Sequence, residues 1–284
     1  MTVSVGVVTD STADLDAGLA ARFGIDVVPL FVNFGDARYR DGVDLTRDEF
    51  FDRMRAGGTL PTTSQPTAAT FEDAFRPHVE AGRAVVGIFI SSKLSGTINA
   101  ARAAAEQFPG ADIRLIDSQT VTGGCALLAL RAGGLAQLGA SADEIVAAVE
   151  TDRARQHGYC TVPDLSHAER SGRIGKAQAI LGGLLKIVPL LTFASGEVDV
   201  AAKVRTFTRA QDAMIDATIK EIGDVEKSRI MVLHSHAPES GRAVFDRLRE
   251  KLGSAPAFME LAEAGPAIST HAGEGAVGIF SVAG

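Results

Sequence analysis

A hydroxyl-rich turn, SSKLSGT at residues 91–97, has the clearest capacity to bind a ligand. It follows the apolar run 84–90 and precedes the alanine-rich segment 98–108, an order that predicts a buried strand, a turn and a helix. Its four hydroxyls, its glycine and the free amides of a helix N-terminus could together hold a carboxylate or a phosphate. An ordinary Ser or Thr helix cap would explain one or two of these hydroxyls, so both interpretations stay open.

A second polar segment, GGTLPTTSQP at residues 57–66, precedes a helix predicted at 68–81. Its two prolines and two glycines rule out a helix or a central strand. The consecutive polar residues at 62–65 either end a rigid loop in a helix cap or form a second hydroxyl-bearing lip that faces the first. Sequence spacing alone favours neither.

Isolated basic and imidazole side chains are weaker indications of a ligand-binding site. His271 lies in a predicted loop of small residues, where it could donate a hydrogen bond to an anion or be an ordinary loop histidine. Arg173, in a glycine-flanked turn, could clamp a phosphate or remain solvated. The pair His234 and His236 ends a predicted strand, where capping and packing explain imidazoles better than zinc. No metal site is predicted.

The sequence contains no complete catalytic or nucleotide-binding motif of three common types. GEGAVG at 273–278 matches GxGxxG, but only six residues follow it, too few for the helix that must come next. GRIGK at 172–176 lacks the first glycine and the final Ser or Thr of a phosphate loop. No GxSxG elbow occurs, which disfavours a Ser-His-Asp hydrolase. We therefore expect no nucleotide site within the chain itself.

The elements that must position these residues alternate between strand and helix over residues 1–155. This alternation predicts a doubly wound, mostly parallel sheet, whose strand ends are the usual place for a ligand. The polar stretch 36–44 is predicted to be a loop, and Ser11 or Thr12 to cap the first helix. Capping boxes are predicted at Thr46 and Ser141. The predicted strands are 3–8, 25–34, 84–90 and 112–116, and the predicted helices are 14–23, 47–56, 68–81, 98–108, 121–138 and 142–156.

Residues 156–284 predict a second domain of mixed α+β type, because the strict alternation stops there. The apolar stretch 177–191 could line a hydrophobic cavity, although core packing explains any one of its residues equally well. The predicted strands are 159–163, 186–193, 198–204, 229–234, 257–261 and 276–282, and the predicted helices are 176–185, 208–222 and 238–252.

Composition limits the class of partner. The chain has 284 residues, of which 46% are hydrophobic, and a formal net charge of −7. That charge argues against a nucleic acid, whose phosphates need a basic surface. The sequence shows neither a secretory leader nor the 18 uninterrupted apolar residues of a membrane span, so a cytoplasmic protein is expected.

The motifs together resemble the DegV family, the bacterial fatty-acid-binding proteins that serve fatty acid kinase. The resemblance spans residues 10 to 275, and the combination of TSQP with SSxLSGT is its most specific part. The matching elements are DSTADL at 10–15, TSQP at 63–66, SSKLSGT at 91–97, DS at 117–118, GRI at 172–174 and His271 with the glycines that follow it.

The resemblance implies a two-domain α/β protein that holds one long-chain fatty acid, such as palmitate, stearate or oleate, in a tunnel between the domains. It implies that Thr63, Ser95 and His271 bind the carboxylate, and that Arg173 serves phosphate transfer or kinase docking. The supporting residues would be Ser64, Ser92, Gly96 and Thr97. A separate kinase subunit would phosphorylate the carboxylate, and transient membrane contact would accompany lipid exchange. At 186–191 the chain departs from the family pattern, since it reads KIVPLL where many relatives read more like Lys-Pro-Ile-Leu.

Two rival hypotheses use the same residues. A serine-dependent acyl hydrolase or acyltransferase would employ Ser95 as nucleophile and His271 as base. A structural sensor would keep the lipid only as a folding ligand. The carrier is the leading hypothesis because the chain combines hydroxyl-rich turns with no nucleotide-binding motif.

Overall fold

The computed structural model describes residues 4–57, 60–174, 177 and 187–284. The strands are β1 (Val5–Asp10), β2 (Ile25–Val28), β3 (Phe31–Phe34), β4 (Ala37–Arg40), β5 (Thr62–Ser64), β6 (Ala84–Phe89), β7 (Ile113–Asp117), β8 (Gln156–Thr161), β9 (Val188–Ala194), β10 (Glu197–Val204), β11 (Arg229–His234), β12 (Phe258–Glu263) and β13 (Val277–Val282). The helices are α1 (Ala17–Phe23), α2 (Arg47–Arg55), α3 (Ala68–Glu80), α4 (Thr97–Ala105), α5 (Gly123–Gln137), α6 (Ala142–Ala154), α7 (Ser166–Ser171), α8 (Phe207–Glu221), α9 (Pro238–Leu252) and α10 (Pro266–Ala272).

The first sheet has four parallel strands in the order β2-β1-β6-β7. Alternate residues of β1 face opposite sides, so Val7 packs in the core cluster that contains α5, and Val8 packs with α3 and α4. With helices on both faces, this half is the doubly wound sheet that the sequence predicts. The chain turns one way after β1 and the other way after β6. The carboxyl ends of these two strands therefore form a topological switch point, where open α/β sheets bind ligands.

The second sheet has six strands in the order β10-β9-β8-β13-β11-β12. Only β11 and β12 pair in parallel, so this sheet is mixed, as the sequence predicts for the second half. Helices α8 and α9 cover one face through an apolar cluster centred on Met214, Val232 and Val244. Strands β9 and β10 form a hairpin, and Ser195 and Gly196 in its turn both have positive φ. The helix predicted over 176–185 lies outside the described residues, except for residue 177.

Helix α5 lies between the two sheets and contacts both. Most of its residues are buried, as expected for a helix that has protein on every side. Gly123 permits close approach to the second sheet, because a Cβ there would lie 2.5 Å from a methyl carbon of Leu233. One core cluster accordingly joins Val7 of the first sheet to Leu233 and Phe280 of the second.

A small antiparallel sheet, β4-β3-β5, and helix α10 complete the part that surrounds the site. Three predictions were wrong here. Residues 36–44 are not all loop, because Ala37–Arg40 pairs with β3 as an exposed edge strand. The predicted loop around His271 is instead the C-terminal turn of α10. The apolar run 25–34 is two strands in two different sheets, divided at Pro29.

Two of the predicted helix caps are present in the structure, and one is not. Both capping boxes are present, at Thr46 with Glu49 and at Ser141 with Glu144. The cap of α1 is Asp16, whereas Ser11 and Thr12 belong to a preceding 3-10 helix, so that prediction was wrong. Thr122, at the N-terminus of α5, makes no capping hydrogen bond there.

Candidate functional site

A cavity of about 360 Å³ lies at the switch point and is lined by residues of both halves of the chain. Its size is that of a small-molecule site. Most of its lining side chains are apolar, and a minority of hydroxyl, imidazole and guanidinium groups gather near β5, α10 and the turn before α4. Representative apolar members are Leu94, Val121, Leu191, Phe193, Ile268 and Phe280.

The two polar lips of the sequence meet at this cavity. Gly96, the N-cap residue of α4, lies against Gln65 of the other lip. A Cβ on Gly96 would fall 2.2 Å from the Oε1 atom of Gln65, so a larger residue there would displace the Gln65 side chain. Thr63 and Ser64 line the cavity on one side and Ser95 on the other. The interpretation of residues 62–65 as a second lip is the one that the geometry favours.

Thr63 and His271 form a direct contact. The Oγ1 atom of Thr63 and the Nε2 atom of His271 are 2.8 Å apart, although the residues are 208 positions apart in sequence. Strand β5 holds Thr63 opposite Val32 of β3, and α10 packs against the same small sheet. If the imidazole donates from Nε2, the hydroxyl hydrogen of Thr63 remains free to donate to a ligand oxygen.

His271 is a neutral imidazole near pH 7. Burial, together with the positive charge of Arg173 and the neighbouring His167, lowers its pKa to about 4. Its Nδ1 atom is buried and has no hydrogen-bond partner within the described residues. A proton on Nδ1 would leave a buried N–H unpaired, so the tautomer with its proton on Nε2 is favoured. Thr63 is then the acceptor in this pair.

Ser95 faces the cavity from the turn before α4. Its Oγ atom lies 2.9 Å from the Oγ1 atom of Thr97 and accepts a 3.3 Å hydrogen bond from the backbone N–H of Thr97. Thr97 is buried behind Ser95 and does not line the cavity. Ser92 is exposed, and its backbone N–H donates to Asp117, so the structure does not bring its side chain to the cavity.

Arg173 lines the cavity from the turn after α7. Its side chain is largely exposed and donates a 2.6 Å hydrogen bond to the carbonyl oxygen of Ser171. His167 of α7 lies beside the backbone of α10, where burial lowers its pKa and the charge of Arg170 adds to this. The cavity therefore has one cationic edge, adjacent to Thr63 and His271.

Several polar residues of the cavity wall were not predicted. Thr12 and Thr122 line the cavity, but their hydroxyls donate to the buried carboxylates of Asp10 and Asp14. Ser235, which follows β11, donates a 2.9 Å hydrogen bond to Ser269 of α10. Thr12 and Ser235 follow the predicted strands 3–8 and 229–234, which was a usable signal. Thr122 offered none, because it falls within the predicted helix 121–138.

Within the described part of the chain, no group of three or more His, Cys, Asp or Glu side chains could hold a metal ion. No described helix is long and apolar enough to cross a membrane.

The fold and the cavity define an α/β protein with a binding site for an apolar small molecule that carries a polar end. A model of the DegV family, described as an uncharacterised protein family, matches residues 4–284. A DegV domain-containing protein of Deinococcus radiodurans is 36% identical over 279 residues, which is 98% of each chain. One of Caldanaerobacter subterraneus is 35% identical, covering 97% of this chain and 98% of the relative. This chain belongs to the DegV family.

Solved structures of similar proteins agree with this fold. A DegV family protein from Thermus thermophilus, described by its fatty acid binding, aligns with a TM-score of 0.90 and 34% identity over 99% of both chains. DegV of Bacillus subtilis, described as a fatty acid binding protein, gives a TM-score of 0.90 and 29% identity over the whole of both chains. A stearic acid-binding protein from Eubacterium ventriosum gives 0.90 and 26% over 98% of both chains.

Proposed function

We propose that this protein binds a long-chain fatty acid in the cavity, with the carboxylate between Thr63, Ser95 and His271. The observation that supports this most strongly is the pairing of Thr63 with His271 at the polar end of a mainly apolar cavity. A carboxylate removed from water needs several hydrogen-bond donors, and the hydroxyls of Thr63 and Ser95 supply two. Similar proteins of known structure are described as fatty-acid-binding, one of them as binding stearic acid.

The apolar walls account for the affinity. Each buried CH2 group contributes about 0.8 kcal/mol, so an acyl chain of about sixteen carbons supplies on the order of 10 kcal/mol before ordering costs. Such a ligand needs no charged clamp. Palmitate, stearate and oleate are the candidates we propose. In this proposal the chain divides near residue 155 into two domains, and the acyl chain occupies the space between them.

We further propose that the protein is a carrier rather than an enzyme. It would present the carboxylate to a separate kinase subunit, which forms the acyl phosphate. The exposed guanidinium of Arg173 at the cationic edge of the cavity is placed to contact a phosphate or an acidic partner surface. A cytoplasmic location and transient contact with a membrane belong to the same proposal.

The geometry disfavours the hydrolase alternative. His271 contacts Thr63, whereas the hydroxyl of Ser95 contacts Thr97, so no nucleophile–base pair is formed between Ser95 and His271. An imidazole with a pKa of about 4 is also a weak general base near pH 7. Incubation with a fluorophosphonate probe checks this: we expect no labelling of Ser95, and covalent modification there would favour the hydrolase.

Fatty acid binding is tested on the purified chain. Native mass spectrometry followed by lipid extraction should reveal a bound fatty acid, and delipidated protein should take up palmitate or oleate. Ser95→Ala should bind at least several-fold more weakly, because it removes one donor to a charged group. Ser254→Ala is the matched control, since Ser254 is exposed and lies outside the cavity. A lipid-free protein that takes up neither acid would refute the proposal.

The carrier role needs its own experiment. The loaded protein is mixed with a fatty acid kinase subunit and ATP, and acyl phosphate is trapped with hydroxylamine as the hydroxamate. We expect hydroxamate only when protein, kinase and ATP are all present, and less of it with Arg173→Ala. Tight lipid binding without any hydroxamate would favour the sensor hypothesis.

A further inference from the structure

The position of His271 depends on a short helix that has few bulky anchors. Helix α10 has seven residues, and its buried members include Ala267 and Ser269, which have little surface to bury. A single large aliphatic side chain, Ile268, joins it to the main core cluster. Small side chains contribute little apolar burial, so polar contacts must fix the rotation and the translation of the helix.

The N-terminus of α10 is held by two buried carboxyl groups from the other half of the chain. The backbone N–H of Gly265 donates to the Oδ1 atom of Asp14 at 2.8 Å. The backbone N–H of Ala267 donates to the Oδ1 atom of Asp41 at 3.2 Å. Pro266 between them has no N–H. A Cβ on Gly265 would lie 3.2 Å from an oxygen of each carboxylate, so the two acids flank that residue.

Both carboxylates are themselves fixed. The hydroxyl of Thr122 donates to the second oxygen of Asp14, and Ser11 forms a hydrogen bond with Asp41. Asp14 and Thr122 both have positive φ, at 52° and 47°, a conformation that non-glycine residues hold only where their surroundings impose it. Only 4% of Asp14 and 3% of Asp41 are exposed, and neither lines the cavity.

We propose that Asp14 and Asp41 are positioning residues for the fatty-acid carboxylate site, acting through α10 to hold His271 against Thr63. The inference rests on the proposed function for its effect on ligand affinity. Neither side chain lines the cavity itself, and their hydrogen bonds to Gly265 and Ala267 act on the site through helix α10. The hydrogen bonds at the N-terminal amides of α10 fix the position of the helix, and the helix fixes the position of the His271 imidazole at its C-terminal end.

The substitutions are chosen to separate positioning from folding. Asp14→Gly removes the carboxylate without adding backbone strain, because φ is 52° there. Asp41→Ala removes the second carboxylate. Asp14→Asn is the conservative variant, since its amide oxygen can still accept from Gly265 and its N–H groups can donate to Thr122. Asp152→Ala is the control, because it removes another buried carboxylate, which pairs with Arg229 and lies outside the cavity.

Two measurements are made on each folded variant: the Kd for oleate, and the pKa of His271 by NMR titration of the ligand-free protein. Asp14→Gly and Asp41→Ala should weaken binding about tenfold or more and raise the His271 pKa from about 4 toward the ordinary value of about 6.5. Asp14→Asn should stay within about threefold of the parent protein in Kd and leave the His271 pKa low. Asp152→Ala should lower the stability of the protein and leave both the Kd for oleate and the His271 pKa unchanged.

A double-mutant cycle closes the test. In the His271→Ala background, Asp14→Gly should weaken binding by much less than it does alone, because its route to the ligand is gone. Additive losses, an unchanged His271 pKa in Asp14→Gly, or an equal loss of affinity in Asp152→Ala would each overturn the positioning role. Failure of the parent protein to bind oleate would instead refute the proposed function, and the NMR arm would still decide the positioning of His271.

Discussion

The hydroxyl of Ser91 donates a 2.7 Å hydrogen bond to the carbonyl oxygen of Gly196, 105 residues further along the chain. Ser91 begins the turn that carries Ser95, and Gly196 lies at the tip of the β9–β10 hairpin. Because Leu191, Phe193 and Val198 of that hairpin line the cavity, this contact joins an apolar wall of the cavity to its polar end.

Gly196→Ala should therefore disturb both stability and binding. Gly196 has φ +84°, and a Cβ there would fall 2.5 Å from the Oγ atom of Ser91. We expect a loss of about 1–3 kcal/mol in the free energy of unfolding and weaker oleate binding. Gly139→Ala is the control, since Gly139 has φ +83° with nothing within 4 Å, and urea denaturation of both variants isolates the contribution of the contact. Equal losses would mean that the contact with Ser91 contributes nothing.

Thr63→Val should weaken fatty-acid binding by roughly tenfold to a hundredfold, the range for one hydrogen bond to a charged group. The substitution also leaves the ring N–H of His271 without its acceptor. Thr63→Ser keeps the hydroxyl and should bind within a few-fold of the parent protein. Displacement of a fluorescent fatty acid measures both variants, with Thr151→Val as an exposed control outside the cavity. If valine binds as tightly as serine, Thr63 does not contact the carboxylate.

Asp14 should make the folded state less stable as pH rises. Burial raises its pKa from 3.8 to about 8, despite the opposing hydrogen bonds from Thr122 and Gly265. Between these two values the folded state binds a proton that the unfolded state has released. Stability contributed by this group is therefore lost between about pH 4 and pH 8, by up to about 1.4 kcal/mol per pH unit.

Urea denaturation of the parent protein and Asp14→Asn at pH 5, 6, 7 and 8 checks this sign, because most other titrating groups cancel in the difference. The asparagine variant should gain stability relative to the parent as pH rises. A constant difference across this range would show that Asp14 is ionised in the folded protein throughout.

Two glycines of α5 should respond in opposite directions to alanine. A Cβ on Gly123 would lie 2.5 Å from Leu233, so Gly123→Ala should cost about 1–3 kcal/mol through overpacking. A Cβ on Gly134 would meet nothing closer than 3.7 Å, so Gly134→Ala should be neutral or stabilise the protein by up to about 1 kcal/mol. Thermal denaturation distinguishes them. A stabilising Gly123→Ala would contradict the close packing of α5 on the second sheet.

Features governed by neighbouring residues were predictable from the sequence, and those governed by distant contacts were not. The capping boxes at Thr46 and Ser141 depend on residues three positions apart, and both are present. Helix α10 was missed because its first amides are satisfied by Asp14 and Asp41, 251 and 226 residues away. Strand β4 was missed because its sequence, ARYR, is polar and forms an exposed edge.

The same distinction between local and distant contacts applies to the candidate site. The hydroxyls of 91–97 and 62–65 were evident as potential ligands, since each set precedes a predicted helix. That both sets line one cavity depends on the approach of Gly96 to Gln65, a steric fact that spacing cannot encode. The pairing of Thr63 with His271 was implied only by resemblance to a family, and the structure supplies the contact itself.

The burial of α5 between the two sheets limits how a lipid can exchange. Swinging the halves apart would expose the helix together with the core cluster that joins Val7 to Phe280, at a cost on the scale of unfolding. Ligand that comes and goes faster than the protein unfolds must cross the rim of the cavity instead. In the proposed function, the residence time of the fatty acid is then set by local side-chain and loop motion, and it should respond to substitutions at the rim far more than to changes in global stability.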